Sequence, residues 1–182
     1  MNDLTLYNQV KDKMQTGDPI QWRSNSVLGY GIRKVTAKDR RQYEVDNDID
    51  VNHTAGVIRL KEYEEGRRFI SESLEKGPEL HYLSERLESF DGQVWWYPLT
   101  ISNEQRTKWG SLALGCTVKA IKYGYWDIFK YAMFGPGKID IDDGLYCSEE
   151  WMWNMGYRGD SKSPNGLTTL KEFENVIPVR IL

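Results

Sequence analysis

Apolar positions along this chain recur with two periods, and the alternation between them predicts a mixed α+β domain. Residues 1–16 are weakly patterned, with a short helix ending near Gly17. Gly17-Asp18-Pro19 is a turn signal, and Ile20-Gln21-Trp22 follows as a strand. Val27, Leu28, Tyr30, Ile32 and Val35 within Ser24–Thr36 fit a helix weakened by Gly29 and Gly31, or a loop over a cleft; the helix is favoured. Arg41–Val45 reads as a strand or part of an excursion, and Asp46-Asn47-Asp48 as a turn. The β-branched, apolar run Thr54–Leu60 predicts a central strand. A charged turn at Lys61–Gly66 folds the chain back into Arg68–Ser73, with Phe69 and Ser71 on one face and Ile70 and Glu72 on the other. Gly77-Pro78 is read as breaking that strand.

The second half is more helical. Leu83 and Leu87, with Ser84 as a candidate cap, predict a short helix over Tyr82–Phe90. Asp91-Gly92 turns the chain into a third strand, Gln93–Leu99. Trp109, Leu112, Cys116 and Ala120 recur at helical spacing, so Asn103–Tyr123 is the longest predicted helix, with Asn103 as its cap. Tyr125–Phe134 continues as helix or aromatic loop until Gly135-Pro136-Gly137. Ser148–Asn154 reads as a helix stopped by Gly156. A short helix over Thr168–Asn175 and a closing strand over Val176–Ile181, interrupted by Pro178, complete the chain. No internal repeat is present. One domain over residues 1–182 follows, with a small, mainly antiparallel sheet packed against helices.

Composition narrows the function classes. The hydrophobic fraction is 40%, enough for a core without a metal or disulfide staple. A formal net charge of −3 argues against a nucleic-acid partner, and the clusters Lys38-Asp39-Arg40-Arg41 and Arg67-Arg68 lie beside acids as solvated faces do. The two cysteines, Cys116 and Cys147, make no disulfide framework and read as reduced thiols of a cytoplasmic protein. No basic start precedes a long apolar segment and no run of 18 apolar residues occurs, so neither a signal peptide nor a membrane span is expected.

Two segments carry candidate chemistry. Leu145-Tyr146-Cys147-Ser148-Glu149-Glu150-Trp151 sets a cysteine after an Asp-Asp-Gly turn and at a helix start, where free N–H groups and the helix dipole favour thiolate. Asn52-His53-Thr54 sets a histidine at the head of the central strand. A thiol and an imidazole suffice for cysteine nucleophilic catalysis. An orienting group for the imidazole is sought on the neighbouring strand, where Glu72 is the candidate and Glu75 the runner-up. Each has a plainer alternative: Cys147 as a core thiol, His53 as a capping or surface histidine, Glu72 as a solvated carboxylate. Cys116, on an apolar helix face, reads as packing, and His81 as structural or surface. These residues show no compact metal-ligand spacing, and no cofactor is implied. Trp22 is placed either at the cleft or in the core.

With these segments in order, the chain resembles the circularly permuted papain-like group of the NlpC/P60 superfamily, in its YiiX-like branch. Gly17-Asp18-Pro19-Ile20-Gln21-Trp22 resembles that group's Gly-Asp and strand. Asn52-His53-Thr54-Ala55-Gly56-Val57-Ile58 resembles its Ser-His-Val-Gly motif, with Asn52 for the usual serine and Ala55 for valine. Phe69-Ile70-Ser71-Glu72-Ser73 supplies the acidic residue of the next strand, Gly124-Tyr125-Trp126-Asp127 resembles its Gly-x-x-Tyr-Asp element, and Tyr146-Cys147-Ser148-Glu149 matches its Tyr-Cys-Ser-Glu helix start. The resemblance spans residues 17–182, with histidine before cysteine. It implies an α+β permuted papain-like fold and a cysteine peptidase-like hydrolase or acyltransferase with Cys147 as nucleophile, His53 as base and Glu72 as orienting residue. It implies peptide, cell-wall fragment or acyl-ester substrates, in a bacterial or phage setting, reached in the cytoplasm or after lysis or non-classical export. A catalytically silent binding or structural protein on the same fold is the alternative.

Overall fold

The computed structural model describes residues 1–60, 67–119, 121–123, 136–142 and 144–182. Among the described residues, six strands form one antiparallel sheet: β1 Pro19–Ser24, β2 His53–Ile58, β3 Phe69–Leu74, β4 Gly77–Tyr82, β5 Gly92–Trp96 and β6 Val179–Arg180, in the order β4-β3-β2-β1-β5-β6. The helices are α1 Thr5–Val10, α2 Val27–Thr36, α3 Gln42–Asp46, α4 Leu83–Ser89, α5 Asn103–Val118 and α6 Cys147–Met155.

Strand alternation sorts the sheet residues between two cores. Ile20 and Trp22 of β1, Ala55 and Val57 of β2, Ile70 of β3, and Val94 and Trp96 of β5 pack with Tyr7 of α1 and Leu83 and Leu87 of α4. On the opposite face, Ile58 and Trp95 join Trp109 and Ala113 of α5, Trp151 and Met152 of α6, and Tyr97, Leu167 and Phe173. Full burial of such a side chain contributes about 1.5–3 kcal/mol. The face under α5 and α6 is lined at its centre by small or polar residues, Gln21, Thr54, Gly56, Ser71 and Ser73, all buried. They admit the helices close to the sheet. A Cβ on Gly56 would lie 2.2 Å from the Trp109 ring.

Several elements differ from the sequence expectation, each for a local reason. In place of the strand expected over Arg41–Val45, Gln42–Asp46 is helical and only Arg41 is extended before it. The Arg41 guanidinium binds Glu44 one turn on, at 2.6 and 2.9 Å, and donates to the carbonyls of Phe173 and Val176, which fixes a helical turn against the C-terminal segment. Gly77-Pro78 does not end the sheet but begins β4. Gly77, at φ +105°, closes the tight turn from Leu74, and Pro78 is tolerated because β4 is an edge strand. α4 starts at Leu83 straight out of β4, and Ser84 caps nothing. α5 is capped by Ser102, not Asn103: its Oγ accepts the Gln105 N–H at 3.2 Å, while Gln105 Oε1 accepts the Ser102 N–H at 3.0 Å. Thr168–Asn175 resolves into two short 3₁₀ turns, Gly166–Thr169 and Lys171–Phe173, and the closing strand shrinks to Val179–Arg180. The turn expected at 61–66, the aromatic stretch 125–134 and the Gly124-Tyr125-Trp126-Asp127 segment lie outside the described residues.

Candidate active site

His53 heads β2, opposite Trp22 of β1. The preceding Asn52 anchors it: the Asn52 N–H donates to the Trp22 carbonyl at 2.9 Å, and Asn52 Oδ1 accepts from the Ser24 N–H at 2.7 Å and from Arg33 at 3.3 Å. Asparagine at this position ties three segments together where serine is too short to do so. Glu72 pairs with Ala55, two residues beyond His53, so the histidine and the carboxylate share a sheet face. His53 Nε2 lies 2.8 Å from Glu72 Oε2.

The N-terminus of α6 reaches the same end of the sheet from the other side. Ser73 Oγ donates to the Leu145 carbonyl at 2.6 Å, and Tyr146 Oη and Ser148 Oγ both donate to the Lys162 carbonyl, at 3.2 and 2.7 Å. Cys147, the first residue of α6, lies near enough to the His53 ring to raise its pKa. With Nε2 given to Glu72, Nδ1 is the ring nitrogen left for the thiol. The structure thus joins His53 to Glu72 and sets the N-terminus of α6, with Cys147, near the same ring. Cys147 is only 4% exposed, against the partial exposure that a helix-start position suggests.

Two residues not expected from the sequence complete the cluster. His81 Nδ1 lies 2.9 Å from Glu72 Oε1, and Arg86 donates to Oε1 at 2.6 Å and to Oε2 at 3.2 Å. His81 Nε2 also lies 3.3 Å from Glu79 Oε2. The signal was the strand 77–82: its register puts Glu79 opposite Glu72 and His81 opposite Ile70, on the Glu72 face. Arg86 follows Leu83 at helical spacing, beside Leu87. Glu75, the runner-up, is exposed in the β3–β4 turn. Trp22 belongs to the core, fully buried, with its ring edge-on to Phe90 at 4.9 Å and the Arg86 guanidinium 5.6 Å from its centroid.

Burial by itself disfavours a charged His53 ring, but the charge and hydrogen bond of Cys147 and those of Glu72 outweigh it and raise the imidazole to about 10. Burial also opposes a charged Glu72, yet hydrogen bonds from His53, His81 and Arg86 hold it well below the carboxylate range. The Glu72 hydrogen bond raises His81. Beneath the His53–Glu72 pair, Glu150 of α6 accepts from Ser71 Oγ, and burial pushes its carboxyl up to about 7. Cys116 is as buried as Cys147, but burial and the Glu150 charge push its thiol up to about 11, and its Sγ sits 3.5 Å from Asn154 Oδ1.

An antiparallel sheet with helices packed on both faces makes this an α+β protein of circularly permuted papain-like, NlpC/P60-like fold. Among solved structures, the chain is similar to the metalloprotein YiiX from Escherichia coli O157:H7, at a TM-score of 0.62 and 15% identity, covering 92% of this chain and 97% of that one. No protein-family model matches the chain, and no curated protein matches it significantly. The metal named for YiiX finds no fitting donor set here: among the described residues, no group of three or more His, Cys, Asp or Glu is placed to hold an ion. Both Glu72 oxygens already face Arg86, a fixed cation that opposes a metal beside it. Among the described residues, no helix is long and apolar enough to cross a membrane.

Proposed function

We propose that this chain is a thiol-dependent hydrolase or acyltransferase acting at an amide, isopeptide or ester carbonyl, with Cys147 as nucleophile, His53 as general base and Glu72 as orienting acid. The observation that carries this reading is the His53 ring, bonded to Glu72 through Nε2 at 2.8 Å, with Cys147 at the start of α6 near enough to raise its pKa. His53 takes the thiol proton, and the sulfur electron pair forms a C–S bond while the carbonyl π pair moves onto oxygen. The Cys147 N–H, in the first helical turn, is a donor for that oxygen. Collapse expels an amine or alcohol, which leaves with the proton from His53, and an acyl thioester remains. Water, losing a proton to His53, then hydrolyses the thioester; in a transferase a second nucleophile replaces water. Glu72 fixes the ring and supports the imidazolium through both half-reactions.

Peptides, cell-wall fragments and acyl esters are the substrates of this reading. Both cysteines are unpaired, which supports a reducing, cytoplasmic location, with wall substrates met on lysis or after non-classical export. A second reading, a catalytically silent binding or structural protein on the same fold, is favoured by two observations. A likeness at 15% identity carries the fold and no chemistry, and a thiol 4% exposed offers little surface to a carbonyl. An electrophilic, activity-based thiol probe separates the two. Labelling of the wild type and not of Cys147→Ser supports the enzyme; a folded wild type left unlabelled supports the silent protein.

A further inference from the structure

Glu72 is asked to serve more groups than a catalytic carboxylate needs. Three cationic or potentially cationic side chains converge on its two oxygens: His53 at 2.8 Å, His81 at 2.9 Å and Arg86 at 2.6 and 3.2 Å. They come from three different elements, β2, β4 and α4. His53 faces Cys147, Glu72 and, from α6, the charge of Glu150. His81 faces Glu72, Arg86 and Glu79. The His81 side chain is 30% exposed, so it exchanges protons with solvent, while Glu72 is fully enclosed.

We infer that His81 is a positioning residue that tunes the Cys147–His53 pair through the shared Glu72 carboxylate, with Arg86 as the fixed counter-charge that keeps Glu72 ionised. The inference deepens the proposed thiol chemistry and rests on it for its consequence, not for its test. When His81 is protonated, Glu72 divides its charge between two imidazolium rings and holds the His53 proton less tightly. When His81 loses its proton, more of that charge falls to His53, and the imidazolium persists to higher pH. Solution pH thereby reaches an enclosed pair through a half-exposed relay. Arg86 prevents the alternative, in which the buried carboxylate takes up a proton itself and both rings lose their partner.

The chain has two histidines, so each ring is read directly by ring-nitrogen NMR across a pH titration. Wild type is expected to show His53 titrating with a second inflection at the midpoint of His81. His81→Gln, which keeps a donor for Glu72 and removes the titratable charge, is expected to abolish that inflection and to raise the His53 midpoint by about half a pH unit. The alkaline limb of Cys147 alkylation should move the same way. A His53 curve in His81→Gln that superimposes on wild type overturns the inference. Should His81→Gln not fold, the wild-type titration decides alone: a single-step His53 curve, unresponsive to the His81 midpoint, overturns it equally. Failure of the enzyme reading looks different, namely a Cys147 that no acyl substrate or probe engages while the two rings still titrate as a coupled pair.

Discussion

Glu150 offers a quantitative test of the buried electrostatics beneath the candidate site. It lies on the face of α6 turned to the sheet, accepts a hydrogen bond from Ser71 Oγ, and is raised from 4.5 to about 7, first by burial and then by the nearby Glu72 charge. A carboxyl raised in the folded state binds its proton more tightly than the unfolded chain does. Its contribution is therefore fully present below pH 4.5 and is lost as pH rises through 7. At about 1.4 kcal/mol per pH unit, the loss amounts to about 3 kcal/mol by pH 8.5. Glu150→Gln keeps an acceptor for Ser71 and removes the titration. Urea unfolding of both proteins from pH 5 to 8.5 should show the difference moving in favour of the variant by about 2–3 kcal/mol across that range. His53, raised from 6.5 to about 10, adds a decline of the same sign between those values in both proteins, and it cancels in the difference apart from its own coupling to the Glu150 charge. Parallel stability curves would refute the burial of an ionisable Glu150 against Ser71.

Three further outcomes follow from the same structure. Glu72→Gln strips the shared anion from His53, His81 and Arg86; it should cost about 3 kcal/mol at pH 6, where the rings are charged, and clearly less above pH 10, where His53 has lost its proton, as denaturation at the two pH values would read. Equal losses at both would contradict the charge account. Gly77→Ala should lower stability by about 2 kcal/mol or more, because φ is +105° and a Cβ would meet the Ile121 carbonyl oxygen at 1.8 Å; a melting temperature unchanged from wild type would show that the β3–β4 turn is placed wrongly. Asp18→Asn should be comparably costly, since the buried Asp18 carboxylate accepts from Arg106 at 2.7 Å, the Trp96 indole at 3.0 Å and the Gln15 N–H at 3.0 Å. A loss within about 0.5 kcal/mol would argue against that network.

The sequence exposed those parts of the fold that a local pattern determines. Thr54–Leu60 is apolar and β-branched because β2 is central and covered on both faces, and that places His53 at a strand head. Gly156, in the left-handed conformation, ends α6 where a stop was read. The His53–Glu72 contact was legible because a strand period of two fixes a shared face once two neighbouring strands are recognised. What escaped depends on partners far along the chain. Gln42–Asp46 turns helical with Arg41 anchored to carbonyls at Phe173 and Val176, which no local window contains. Gly77-Pro78 looks like a breaker unless β4 is known to be an edge, and missing β4 hid His81 and Arg86 as well. The near-closure of Cys147 was legible only as its plainer alternative, a core thiol, because it comes from packing around the α6 N-terminus while the residues that flank the cysteine are polar.

The central claim is that Cys147 and His53 act as one thiol–imidazole pair. It is tested most directly by timed iodoacetamide labelling of the folded protein at pH 6, read residue by residue by mass spectrometry, in wild type and His53→Gln. The account predicts modification of Cys147 ahead of Cys116, whose thiol is raised to about 11, and a fall of about 100-fold in the Cys147 rate when His53 is replaced. Labelling of Cys116 first, or a Cys147 rate indifferent to His53, would contradict it.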